Sequence, residues 1–148
     1  MSVAKMSVPD LEEFLHEVFP QVFRPGGDVK IEHADGTTCR VRQRYSEKML
    51  RPGGTISGPT LMALADCAMY VVLLSAIGPV GLAVTTNLNI NFLRKGAADQ
   101  DVVAEARLLK LGKQLAVGEV TLFSGDSPDP IAHVTATYSI PNKQRFVR

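Results

Sequence analysis

A single acid, Asp66, sits near the centre of the most apolar stretch of the chain, Pro59 to Ile77 (PTLMALADCAMYVVLLSAI). An ionised carboxylate is costly to bury unless it is paired, hydrogen-bonded or protonated. Aspartate is also a mediocre helix-interior residue, because its short side chain competes for backbone hydrogen bonds. Asp66 is therefore a candidate reactive group. Carboxylates are ionised at neutral pH, so one needs only positioning to act as a general base on water or as a nucleophile toward a carbonyl. The alternative is structural, with the acid fixing the helix through a polar network. Gly58 opens the same segment. A backbone N–H at a helix start is unpaired and lies at the positive end of the dipole, where a developing oxyanion can be held. A glycine there also serves a tight turn, and the two roles are compatible.

The remaining chemistry-bearing residues exclude more than they offer. Cys39 and Cys67 lack metal-ligand spacing, and Cys67 lies inside the apolar run. They read as free thiols in a reducing, cytoplasmic setting. His16, His33 and His133 are scattered and read as surface or partly buried. No Ser-His-Asp arrangement, Gly-x-Ser-x-Gly elbow or metal cluster is present, so neither a serine hydrolase nor a zinc enzyme is expected. With a net charge of +1 and no basic block, the sequence predicts no nucleic-acid partner. The N-terminal residues have no continuous apolar core of the signal-peptide kind. The run to Ile77 is long enough for a membrane span, but Asp66 at its centre and the lack of flanking basic anchors point to a helix enclosed by protein.

The elements that must position these groups follow from periodicity. At 148 residues the chain predicts one domain, 1–148, with a helix and loop in 1–27. Pro9-Asp10 opens a short helix to about Phe19, with Leu11, Phe14, Leu15 and Val18 on one face. Lys30–His33 and Thr37–Tyr45 read as a hairpin around Ala34-Asp35-Gly36. Cys39, Val41, Gln43 and Tyr45 alternate with Arg40, Arg42 and Arg44, predicting a partly covered face and a wet, basic one. Arg51 to Pro59 reads as a loop, with Ser57 as N-cap or Pro59 as first residue of a helix over Gly58–Ile77. That helix, roughly 30 Å long at 1.5 Å per residue, is apolar almost all round and needs cover on most sides. Gly78-Pro79 ends it. Four strands follow: Leu82–Leu93, Asp101–Leu111, Gln114–Ser124 and Ile131–Ile140. In the first of them, alternation places Thr86, Leu88, Ile90 and Phe92 on one side and Thr85, Asn87, Asn89 and Asn91 on the other. The class is α+β, with a curved sheet or a second subunit helping to enclose the helix.

Residues Arg51 to Asp66 resemble the active-site motif of hotdog-fold acyl-CoA thioesterases of the phenylacetate-pathway (PaaI) type. That motif reads approximately N-x-x-G-x-x-H-G-G, then six residues and an Asp in an LxDxA-like helix. Gly54, Gly58, Leu64, Asp66 and Ala68 fall in register. TTNLNINFLRKGA (85–97) and LLKLGKQLAVGEVTLF (108–123) look like the corresponding family strands, so the resemblance runs from about Arg40 to Pro141. It implies a hotdog fold, a curved antiparallel sheet wrapped around one long buried helix. It also implies a homodimer or a dimer-of-dimers tetramer with sites at the dimer interface, and hydrolysis of an acyl-CoA with no cofactor, metal or membrane. On that resemblance Asp66, the Gly58 N–H and Thr85 are catalytic, with Thr85 supplied by the neighbouring subunit. Arg51, Gly54, Ser57 and Thr86 are substrate-binding, and Arg94, Lys95 and Lys113 are candidate contacts for the coenzyme A phosphates. The family's Asn and His are replaced by Arg51 and Ser57, and its second motif glycine by Pro59. Arg51 is placed either to bind an anionic group or to pair with Asp66, and Ser57 to bond locally or cap the helix. Two other readings follow from the same residues: a non-catalytic acyl-CoA binder, and a hotdog hydratase or dehydratase. The latter chemistry usually needs a His beside the acid.

Overall fold

A computed structural model describes residues 4–141 of the protein. Helix α1 spans Val8–Val18 and is capped by Ser7, whose side chain accepts from the Asp10 N–H at 3.2 Å while the Asp10 side chain accepts from the Ser7 N–H. Its apolar face buries Leu11 and Leu15. Strands β1 (Val29–Ala34) and β2 (Thr38–Gln43) form the expected hairpin. Its turn is held by Asp35, whose Oδ1 accepts from the Thr37 and Thr38 N–H groups at 2.9 and 2.7 Å.

The segment expected as a plain loop is more ordered than its Gly-Pro content suggests. A single 3-10 turn, Glu47–Met49, precedes a miniature ribbon of β3 (Leu50–Arg51) and β4 (Thr55–Ile56). Gly53 and Gly54 close that ribbon in the left-handed region, φ +102° and +79°, which side chains rarely adopt. Helix α2 then runs from Gly58 to Ile77 and is stopped by Gly78 at φ +96°.

Strands β5 (Val84–Phe92), β6 (Val102–Leu111), β7 (Leu115–Ser124) and β8 (Pro130–Ser139) complete an antiparallel sheet of order β1-β2-β6-β7-β8-β5. This is the hotdog arrangement, six strands around one long helix. The sheet face under α2 carries small residues, including Ala104, Ala106, Ala116, Gly118, Ala132 and Ala136. They let the helix backbone approach closely. At Gly118 a Cβ would stand 2.5 Å from Met69 Sδ and 2.9 Å from the Arg107 carbonyl oxygen. Leu64, Met69, Val71, Val72, Leu73 and Leu74 are fully buried in this layer, and each such side chain contributes about 1.5–3 kcal/mol on removal from water. By length and composition α2 could cross a membrane, yet it lies packed along the sheet.

The arginines of β2 lie on the outer face, as expected, but the charges of Arg40 and Arg42 are paired and do not make it basic. Arg40 pairs with Glu32 and Glu105, and Arg42 with Glu32 and Asp101. Strand pairing decides this, since Arg40 stands opposite Glu105 in β6.

Candidate active site

The first cluster surrounds the start of α2. Ser57 is the N-cap: its Oγ accepts from the Thr60 N–H at 3.3 Å and lies 2.8 Å from Thr60 Oγ1. The Leu61 N–H bonds the Ser57 carbonyl, and Pro59 has no N–H. That leaves the Gly58 N–H, at the positive end of the helix, as the first-turn donor for a ligand. A Cβ at Gly58 would meet Phe92 Cζ at 3.1 Å, so glycine admits the ring at this point. Gly58 lines a cavity of about 430 Å³ together with Arg51, Phe92, Arg94 and Lys95. The side chain of Arg94 is tethered to the Pro130 carbonyl at 2.8 Å, and Gly54 shapes the adjoining turn through its N–H to the Arg51 carbonyl.

The second cluster surrounds Asp66. Thr85 Oγ1 donates to Asp66 Oδ1 at 2.5 Å, and the Tyr138 hydroxyl donates to the same oxygen at 2.9 Å. The Tyr138 hydroxyl also lies 3.0 Å from the Asp66 main-chain oxygen. Both side-chain bonds fall on Oδ1, so among the described residues Oδ2 is the oxygen left for a ligand. Burial, with the Asp66 charge adding to it, pushes the Tyr138 phenol far above its ordinary range, so it stays a proton donor. Its ring stacks on Tyr70 with centroids 6.1 Å apart, and the Tyr70 hydroxyl is fixed to the Gly81 carbonyl at 2.7 Å.

A bulge in β5 makes this arrangement possible. Thr85 stands opposite Tyr138 and Asn87 opposite Thr137, which leaves Thr86 as an extra residue. Simple alternation assigns Thr86 to the face of Leu88, Ile90 and Phe92. The bulge instead turns Thr85 onto that face, toward the helix, and leaves Thr86 exposed and bonded to the Thr137 carbonyl at 3.3 Å. One extra residue re-aims every side chain on its N-terminal side, a device common beside active sites.

Several sequence expectations are corrected here. Thr85 reaches Asp66 from the same chain, not from a neighbour. Arg51 does not pair with Asp66; it lines the cavity at the start of α2, and the partners of Asp66 are hydroxyls. Lys113 lies in the β6–β7 turn, at the opposite end of the sheet from Arg94 and Lys95, so these three cations do not form one patch. Tyr138 and Phe92 were not among the expected site residues. The available signal for Tyr138 was a hydroxyl-bearing ring on the otherwise small, apolar face of β8.

Both cysteine thiols are pushed up to about 12, first by burial and for Cys67 also by the Asp66 charge. Cys39 donates its thiol to the Ala68 carbonyl at 3.1 Å, and both cysteines are free. Neither is poised as a nucleophile.

Gly58 and Asp66 are eight residues apart on one helix, roughly 12 Å along its axis. They do not meet in one chain. Between them runs the open stripe of α2, Pro59, Met62, Ala63, Asp66 and Cys67, at helical spacing. Met62 is 40% exposed, and the neighbouring edge strand β5 exposes Val84 and Phe92.

Residues 53–131 match the model of the thioesterase superfamily. The chain belongs to the thioesterase superfamily. A provisionally named thioesterase from Silicibacter sp. TM1040 is 42% identical, with a TM-score of 0.85 over 94% of each chain. The E. coli PaaI protein, from the phenylacetic acid degradation operon, is 23% identical with a TM-score of 0.70, over 77% of this chain and 80% of its own. A hypothetical thioesterase from Streptococcus pneumoniae, solved with coenzyme A, is 22% identical with a TM-score of 0.69, over 77% of this chain and 89% of its own. At that identity the last two bear on the fold alone. Within the superfamily, this chain carries an ionisable group on the central helix, held by a strand hydroxyl and a buried phenol.

Proposed function

We propose that this thioesterase-superfamily protein hydrolyses an acyl-CoA to free acid and CoA, as a PaaI-type enzyme with Arg51 and Ser57 in place of the family's Asn and His. The observation that carries the reading is Asp66 with both donors on Oδ1 and, among the described residues, none on Oδ2. Asp66 Oδ2 takes a proton from water as the water oxygen attacks the thioester carbonyl. The carbon–sulfur bond then breaks, and the departing thiolate takes up the proton. Direct attack by Asp66 on the carbonyl is the variant of this step, with water hydrolysing the resulting anhydride.

The oxyanion needs a donor near that carbonyl, and Gly58 of the same chain is too far from Asp66. We place it from a second copy. With two α2 helices antiparallel across a dimer, the Gly58 N–H of one comes near Asp66 of the other, and the open stripe and apolar residues of β5 are covered. Arg51, Arg94 and Lys95, beside Gly58, then face the phosphates of coenzyme A, while Ser57 keeps the helix end in place. The match of residues 53–131 to the thioesterase superfamily supports a thioester substrate.

Thiol release from a panel of short, medium, long-chain and aryl acyl-CoAs tests the reading, wild type against Asp66→Asn. Hydrolysis by wild type and a loss of about 10²- to 10⁴-fold in the variant are expected for a general base. Unchanged hydrolysis by Asp66→Asn would falsify the mechanism, and saturable binding without turnover would make the protein a binder. Sedimentation should show a dimer or tetramer, and a monomer at assay concentration removes the shared site.

A further inference from the structure

Helix α1 lies outside residues 53–131, the segment matched by the superfamily model, yet its last turn reaches the Asp66 cluster. Val18 and the C-cap Phe19 line a pocket of about 280 Å³ with Tyr70, Val84, Tyr138 and Asp66. This wall is firmly anchored. Leu11 and Leu15 are fully buried, the Phe19 N–H bonds the Leu15 carbonyl at 2.7 Å, and the Phe19 ring packs on Phe23 with centroids 6.0 Å apart.

The polar groups of this pocket are already engaged. The Tyr70 hydroxyl is bonded to the Gly81 carbonyl, and the hydroxyls of Thr85 and Tyr138 to Asp66. Among the described residues no cationic side chain lines it, while Val18 and Val84 in its lining expose apolar surface, at 46% and 57%. The pocket therefore offers a ligand the apolar side chains of Val18, Phe19 and Val84 and two tyrosine rings, beside one acid. A carboxylate placed there would find no cationic partner among the described residues and would stand near Asp66.

We propose that the C-terminal turn of α1 walls an acyl-binding pocket beside Asp66, in which Val18 and Phe19 select uncharged, apolar acyl groups of short to medium length. The inference rests on the thioesterase reading and adds the substrate class. At about 280 Å³ the pocket is smaller than the roughly 300–1,000 Å³ of sites that enclose a whole small ligand, which favours the shorter acyl groups. Short to medium chains fill it, and longer ones extend beyond it.

The test measures kcat/KM and Kd for straight-chain acyl-CoAs from acetyl to palmitoyl, and for succinyl-CoA, in wild type, Val18→Trp and Phe19→Leu. In wild type, kcat/KM rises with length to about octanoyl and then levels, and succinyl-CoA is at least about tenfold poorer than butyryl-CoA. Val18→Trp lowers the octanoyl-to-acetyl ratio by about tenfold or more, and Phe19→Leu moves the plateau to longer chains. Succinyl-CoA used as well as butyryl-CoA overturns the proposal. So does a length profile that Val18→Trp leaves unchanged or scales equally at every length. If wild type hydrolyses no acyl-CoA, the thioesterase reading fails by itself, and the pocket is judged on Kd. Length-dependent binding that Val18→Trp abolishes upholds it, and binding indifferent to length overturns it.

Discussion

Replacing Tyr138 with phenylalanine removes one oxygen from a residue that is 3% exposed and keeps the ring stacked on Tyr70. What is lost is a donor 2.9 Å from Asp66 Oδ1. A hydrogen bond to a charged group contributes about 1.5–3 kcal/mol, and each 1.36 kcal/mol is tenfold in rate. The phenolic hydrogen is shared with the Asp66 main-chain oxygen at 3.0 Å, which places the effect near the lower end. We expect kcat for the best acyl-CoA to fall about tenfold with little change in KM, because the loss concerns orientation of the acid and not substrate contact. Thr85→Val should act similarly, and the double variant should lose less than the product of the two, since both hydroxyls serve the same oxygen. In an Asp66→Asn background, Tyr138→Phe should change kcat no further. Thiol release under saturating substrate measures kcat, and thermal melting checks the fold, with an expected loss of about 1 kcal/mol or 2–4 °C. A kcat within twofold of wild type, or the same tenfold effect in the Asp66→Asn background, would refute the assignment of Tyr138 to Asp66.

Three further outcomes test the fold and its chemistry. Gly118→Ala should destabilise by about 1–3 kcal/mol in urea unfolding, because the added Cβ meets both Met69 Sδ and the Arg107 carbonyl oxygen, and a backbone atom yields least. The carboxyl of Asp35 is lowered from 3.8 to about 2, chiefly by the Thr38 N–H. Its contribution is therefore complete above about pH 4 and is lost as pH falls through about 2. An acid titration of stability should show this component in wild type and not in Asp35→Asn. Cys39 and Cys67, with thiols pushed up to about 12, should resist a disulfide reagent at pH 8 in the native protein and react once it is unfolded. Fast labelling of native Cys39, which is 2% exposed, would contradict its burial.

Much of the architecture could be read along the chain because it is written in local periods. The all-round apolarity of 59–77, the serine before it and the Gly-Pro after it specify a capped and buried helix without knowledge of its neighbours. The β1–β2 turn was equally legible, since Asp35 and Gly36 act within four residues. The 50–56 ribbon was hidden because its strands are two residues each, too short for any period to register. The apparent basic face of β2 misled because ion pairs across a sheet depend on which strands are neighbours.

Asp66 as the anomalous acid, Gly58 at the helix start, Ser57 as its cap and the succession of the six long strands along the chain were all determined by residue type and spacing. What holds Asp66 was decided only by tertiary structure. Tyr138 lies 72 residues from it, and Thr85 faces it because one bulged residue shifts the β5 register against β8. The physical reason is that side-chain alternation is local, whereas a bulge is fixed by pairing with another strand. The 12 Å between Gly58 and Asp66 has the same origin, because a helix places its residues along an axis whatever chemistry they are to perform together.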